Sequence, residues 1–161
     1  MSTKIVEIRE LISEIMKLST RGRYGVRFMV DLAGHYGKGP ILLTDIVARQ
    51  NISQKYLGHL IRPLKAKGLI NSQRGIKGGY VLAKPPAEIT LKDVIEVVEG
   101  SLCLVDCVEN SSACERAATC VFRDVWGETS RTIAKTFASM TLSHLVERQE
   151  AKGTTKHEAG Q

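Results

Sequence analysis

The sequence predicts a mainly α fold with one small β-hairpin, arranged as a winged helix-turn-helix followed by a long helix. Three observations predict it. Apolar residues recur at helical spacing in three consecutive segments between about residues 20 and 68. Residues 69–85, LINSQRGIKGGYVLAKP, then break that rhythm and read as two short strands around a glycine-rich turn. Further on, Phe122, Val125, Trp126, Thr129, Ile133, Phe137 and Met140 form a stripe longer than any of the first three.

Residues 1–15 carry Ile5, Ile8, Leu11, Ile12 and Ile15 and read as an N-terminal extension. A domain starts at Met16. Thr20 is placed to cap a first helix running to about Tyr36, with Tyr24, Phe28, Leu32 and Tyr36 four apart and GKGP ending it. ILLTDIVARQN reads as a short extended entry and a second helix capped by Thr44. After the turn NIS, Ser53 caps a third helix, QKYLGHLIRPLKAKG. Leu57, Leu60, Ile61 and Leu64 form its inner face, and Lys55, His59, Arg62 and Lys65 its outer face. Pro63 removes the bond to the His59 carbonyl, which predicts a kink or an early loosening. Gly68 closes this helix.

The hairpin follows, and PPAEIT reads as a linker. Thr90 and Asp93 have capping-box spacing for TLKDVIEVVEG, which Gly100 stops. A cysteine loop leads into the long helix, from about Cys120 to Ser139. Thr141 caps a last short helix. The polar segment AKGTTKHEAGQ reads as a disordered tail. The expected division is 1–15 extension, 16–84 winged helix-turn-helix, 85–150 cysteine loop and long helices, and 151–161 tail.

A chain of 161 residues buries a core without disulfide staples. It lacks an apolar run long enough to span a membrane and an apolar signal-peptide centre, so a cytoplasmic protein is expected. Charge is uneven. Residues 16–84 hold thirteen Lys and Arg against two acids, Asp31 and Asp45, a net +11, whereas residues 101–161 are near neutral. A basic half joined to a neutral half points to a polyanion-binding module, with double-stranded DNA as the partner. Within it, Ser53, Gln54, Lys55, Tyr56 and His59 lie at the start of the third helix, where a recognition helix meets base edges and phosphates. Arg74 and Lys77 sit on the wing, suited to a narrow minor groove.

All four cysteines fall within CLVDCVENSSACERAATC, as Cys103, Cys107, Cys114 and Cys120, spaced C-x3-C-x6-C-x5-C. Clustered thiols in a reducing compartment point to a metal centre or redox groups. Structural zinc uses tighter knuckles, so the wide intervals favour an iron–sulfur cluster. A zinc-stabilised winged-helix regulator and a thiol-redox protein are the alternatives. His35, His59, His144 and His157 are scattered, and no Ser–His–Asp or paired-carboxylate arrangement occurs, so neither an enzyme nor a small-molecule substrate is expected.

MKLSTRGRYGVRFMVDLA, SQKYLGHLIRPLKAKGLI, RGIKGGYVLAKP and CVFRDVW, in order and in register, resemble the Rrf-two-type iron–sulfur transcription regulators typified by IscR and NsrR. The resemblance covers residues 16–150. It implies a homodimer in which the long helix, with Phe122, Val125, Trp126, Ile133 and Phe137, is a dimerisation helix. It implies that Cys107, Cys114 and Cys120 ligate a 2Fe–2S or 4Fe–4S cluster, and that redox change or nitric oxide alters operator binding. The sequence departs from that pattern. Arg123 stands where the IscR branch has a ligating His, and Arg23 where the NsrR branch has a ligating Asp. Gly58 replaces a recognition-helix Glu. Cys103 is an additional thiol in the same loop and the candidate fourth ligand.

Overall fold

The computed structural model describes residues 18–158. The extension 1–15 therefore lies outside the described residues. Helix α1 spans Thr20–Gly34, α2 Leu43–Gln50 and α3 Gln54–Ala66. The wing is β1, Ile70–Gln73, paired antiparallel with β2, Gly79–Leu82, from Ile70 opposite Leu82 to Gln73 opposite Gly79. Helix α4 is Leu91–Glu99, α5 the single turn Asp106–Glu109, α6 Val121–Ala138 and α7 Leu142–Glu158. This is the mainly helical fold with one small hairpin that the sequence predicts.

Two helix starts differ from expectation. The cap of α1 is Ser19, whose hydroxyl accepts from the Arg21 and Gly22 amides, while Thr20 sits inside the first turn and accepts from Arg23 Nη2. Helix α2 begins after Leu42 with no side-chain cap, so Thr44 is interior. Its start is set by Ile41, which exchanges both backbone hydrogen bonds with Tyr80 of β2 (3.0 and 2.9 Å) and so extends the wing by one residue.

Ser53 caps α3 as expected, accepting from the Tyr56 amide. The helix continues three residues past Pro63. His59, whose carbonyl loses its helical donor, is exposed, so water can supply the missing bond. The end is a Schellman motif. Gly68, at φ +67°, donates to Lys65, and Leu69 donates to Leu64.

The core joins Phe28, Met29 and Leu32 of α1 to Ile46 of α2, Leu57, Leu60 and Leu64 of α3, Ile70 and Leu82 of the wing, and Val94 and Val98 of α4. Thr90 and Asp93 form the complete capping box. The segment that reads as a linker is a short 3-10 turn, Pro86–Glu88, followed by a buried Ile89. Around Thr90 the backbone pairs with Met140–Leu142, which seats α7 against α1. Thr141 caps α7 through the His144 amide. That helix is not short. It runs to Glu158, through most of the segment expected to be a disordered tail. No helix among the described residues is long and apolar enough to cross a membrane.

Candidate nucleic-acid interface and cysteine loop

One face of α3 is fully committed to the core through Leu57, Leu60, Ile61 and Leu64. Its N-terminal turn therefore turns outward, leaving Ser53, Gln54, Lys55 and His59 exposed. Tyr56 is half-buried, with its ring edge-on to Tyr24 of α1 at 5.4 Å between centroids. The Arg27 guanidinium lies 5.5 Å from the Tyr24 centroid. The amide end of α3 adds the positive pole of a helix dipole to this surface. Arg74 and Lys77 are exposed on the wing, and Lys65 Nζ donates to Ser72 Oγ at 2.6 Å, joining the outer face of α3 to β1.

Charge composition alone does not expose what holds the helix-turn-helix at its correct angle. Asp31 is buried on the core side of α1. Its carboxylate accepts from Arg49 Nε and Nη2 (2.9 and 2.7 Å) and from Gln50 Nε2 (3.0 Å). Arg27 donates to the Gln50 side-chain and backbone oxygens. The end of α2, and so the turn into α3, is fixed to α1 by this network. Burial pushes the Asp31 carboxyl upward, but the hydrogen bonds from Arg49 and Gln50 and the guanidinium charge outweigh it and hold the group below its ordinary value. The signal available in sequence was an acid within the apolar stripe of a basic helix.

The cysteine loop connects α4 to α6. Its root is tied to α1. Glu99, the last residue of α4, accepts through Oε1 from the Ser19 amide (3.1 Å), the Ser19 hydroxyl (2.6 Å) and the Gly22 amide (2.8 Å). A Cβ on Gly22 would stand 2.3 Å from that oxygen, so a larger residue there would push the Glu99 carboxylate off its donors. Further along, the Leu104 amide donates to the buried Ser130 hydroxyl at 3.1 Å, and Arg123 Nε donates to the Cys107 carbonyl at 2.6 Å. Arg123 thus anchors the loop backbone to α6.

Cys103, Cys107 and Cys120 are half-buried and Cys114 is exposed; all four are free thiols. Burial raises the Cys103 thiol, and Glu109 adds to the rise. As soft donors, the thiols suit an iron–sulfur cluster. Their arrangement does not yet gather them: among the described residues, no three His, Cys, Asp or Glu side chains converge as a metal ion requires.

On α6, Phe122 (65%), Val125 (48%) and Trp126 (39%) are exposed in the single chain, while Ile133 and Phe137 are half-buried. These residues lie on one face of α6 and leave it more apolar than an ordinary solvated helix.

Comparison with known proteins agrees with this architecture. The family profile described as Rrf2, iron-dependent transcriptional regulator, matches residues 18–148. The protein rrf2 of Nitratidesulfovibrio vulgaris is 40% identical over 131 residues, covering 81% of this chain and 87% of that one. The structure of CymR, the global cysteine regulator of B. subtilis, matches with a TM-score of 0.69 at 38% identity, over 83% of this chain and 98% of that chain. The structure of T. potens IscR matches with a TM-score of 0.70 at 39% identity, over 85% and 90%. The chain therefore belongs to the Rrf2 family of iron-dependent transcriptional regulators and is a DNA-binding transcription regulator, not an enzyme.

Proposed function

We propose that this regulator binds a double-stranded DNA operator as a cytoplasmic homodimer, and that an iron–sulfur cluster in the 103–120 loop sets its operator affinity. Ser53, Gln54, Lys55 and His59 face the major groove. Tyr56, packed on Tyr24, offers its hydroxyl to a phosphate. Arg74 and Lys77 enter the minor groove from the wing. The open stripe of α6 forms the dimer. Cys107, Cys114 and Cys120 would hold the cluster, with Cys103 the candidate fourth ligand. When bound, such a cluster supplies redox change and reactivity toward oxygen or nitric oxide. The chain's own residues supply the connection. Glu99 ties the loop to α1, which holds the end of α2 and so the turn into the reader helix α3 through Asp31, and Ser130 ties it to α6, the proposed dimer helix.

The observation that carries this reading is the gathering of every cysteine into eighteen positions rooted at both ends on those helices. A second reading is favoured by the dispersed thiols and by the likeness to CymR, the cysteine regulator: a family member regulated without a cluster. An absorbance spectrum and iron assay of anaerobically purified protein decide between them. The cluster reading expects a brown protein whose colour is abolished by Cys114→Ala. Cys103→Ala bleaches it only if that thiolate is a ligand. A colourless, iron-free wild type supports the second reading.

A further inference from the structure

The tip of the wing carries a side chain that its electrostatics does not call for. Ile76, between the exposed Arg74 and Lys77, is 100% exposed. Single exposed apolar residues are ordinary on protein surfaces. This one is set apart by the turn that presents it. Gly78 donates to the Gly75 carbonyl at 2.9 Å, closing a tight turn with Ile76 and Lys77 at its two corners. Gly75 has φ +112°, and a Cβ on Gly78 would stand 2.4 Å from the Gln73 carbonyl oxygen. A Cβ on Gly79 would stand 2.2 Å from the Ile41 carbonyl oxygen. The β1–β2 ladder holds the turn from one side, and the Ile41–Tyr80 pair holds it from the other. Ile76 thus stands fully exposed at the corner of a turn that is hydrogen-bonded across itself and held at both ends by backbone pairing.

A β-branched side chain has few rotamers, so inserting it costs little further ordering. With Arg74 and Lys77 entering the minor groove on either side, the apolar tip between them meets its sugar rings and base edges. Isoleucine is among the apolar side chains that part base steps from the minor groove.

Resting on the reading that the wing lies on DNA, we propose that Ile76 is a minor-groove wedge, which partly unstacks one base step and so selects operators with an easily opened pyrimidine–purine step beneath the wing. Specificity at that position then comes from deformability rather than from hydrogen bonds to bases.

The test uses the full chain and a duplex that the wild type selects from a random pool. 2-Aminopurine is placed in turn at the steps flanking each half-site, and bending is measured on circularly permuted duplexes. Wild type should raise fluorescence at one step and bend the DNA by about 20° or more. Ile76→Ser should lose both signals and the preference for TA over GC steps there. It should also leave the salt dependence of binding unchanged, since no charge is altered. Because Ile76 is wholly exposed, that variant disturbs no folded contact. Arg74→Ala serves as the control for wing contact and should weaken binding roughly tenfold to a hundredfold. Wild-type bending and fluorescence in Ile76→Ser, with Arg74→Ala weakened, overturns the wedge alone. Unchanged binding by both variants removes the wing from the DNA and overturns both readings. A straight, fully stacked wild-type complex also overturns the wedge.

Discussion

Asp31 shows most clearly how one side chain serves the fold and the reader together. Its carboxylate ties α1 to the end of α2 through Arg49 and Gln50. Because its folded pKa is lowered, the stabilisation is present above the unfolded value and is lost as pH falls through the folded one. The stability advantage of wild type over Asp31→Asn, followed by urea unfolding, should therefore stay constant near neutrality and shrink below about pH 4. Asp31→Ala should cost about 1–3 kcal/mol, because Gln50 then loses its buried acceptor and Arg49 its ion pair. Residue-scale features were unevenly legible in the sequence. Ser53 as a cap and the Thr90–Asp93 capping box were plain, because each is settled within four residues. Thr20 has a local claim to the cap; Ser19 takes it because its advantage comes from Glu99, eighty positions away. Thr44 failed as a cap for a similar reason: the start of α2 is fixed by the pairing of Ile41 with the wing.

At the scale of elements, α4 staples the cysteine loop to the DNA-binding module. Its last residue places a carboxylate at the N-terminus of α1, where the helix dipole and three donors favour negative charge. Glu99→Ala should lower stability by about 1–3 kcal/mol in chemical denaturation. Gly22→Ala should lose part of the same stabilisation, since its methyl group displaces the carboxylate oxygen from its donors. A Gly22→Ala protein of wild-type stability would show that the Glu99 hydrogen bonds to α1 contribute little to folding. The wing was legible because its glycines are demanded by the turn itself, and α6 because its stripe spans five turns. The prolines of segment 85–90 give it the local signature of a linker. Its actual role depends on Ile89 being buried and on Thr90 pairing with Thr141, a partner invisible to local pattern. Helix α3 absorbs Pro63 because the carbonyl it orphans is on the exposed side, a fact of packing rather than of propensity.

For the whole molecule, the division of charge matches a division of labour. The basic residues 16–84 supply the reader and wing, and the near-neutral residues 101–161 supply the loop and α6, yet both parts share α1, against which α4 and α7 pack. If the exposed stripe of α6 forms the proposed dimer, it sets the separation of the two reader helices, and half-site spacing punishes small displacements. Ile133→Asp should put a charge into that interface and yield monomer or aggregate by light scattering, whereas a stable dimer would place the interface elsewhere. The donor chemistry of the loop was legible from cysteine spacing. The dispersal of its thiols was not, because it depends on Arg123 and Ser130 holding the loop backbone from α6. The central claim is that the state of this loop governs DNA affinity. The most direct measurement is an anaerobic operator titration of one preparation before and after its iron is removed by chelation. Cluster control predicts that the dissociation constant changes roughly tenfold or more while the dimer persists. Equal affinity of the iron-loaded and iron-free dimers would contradict it.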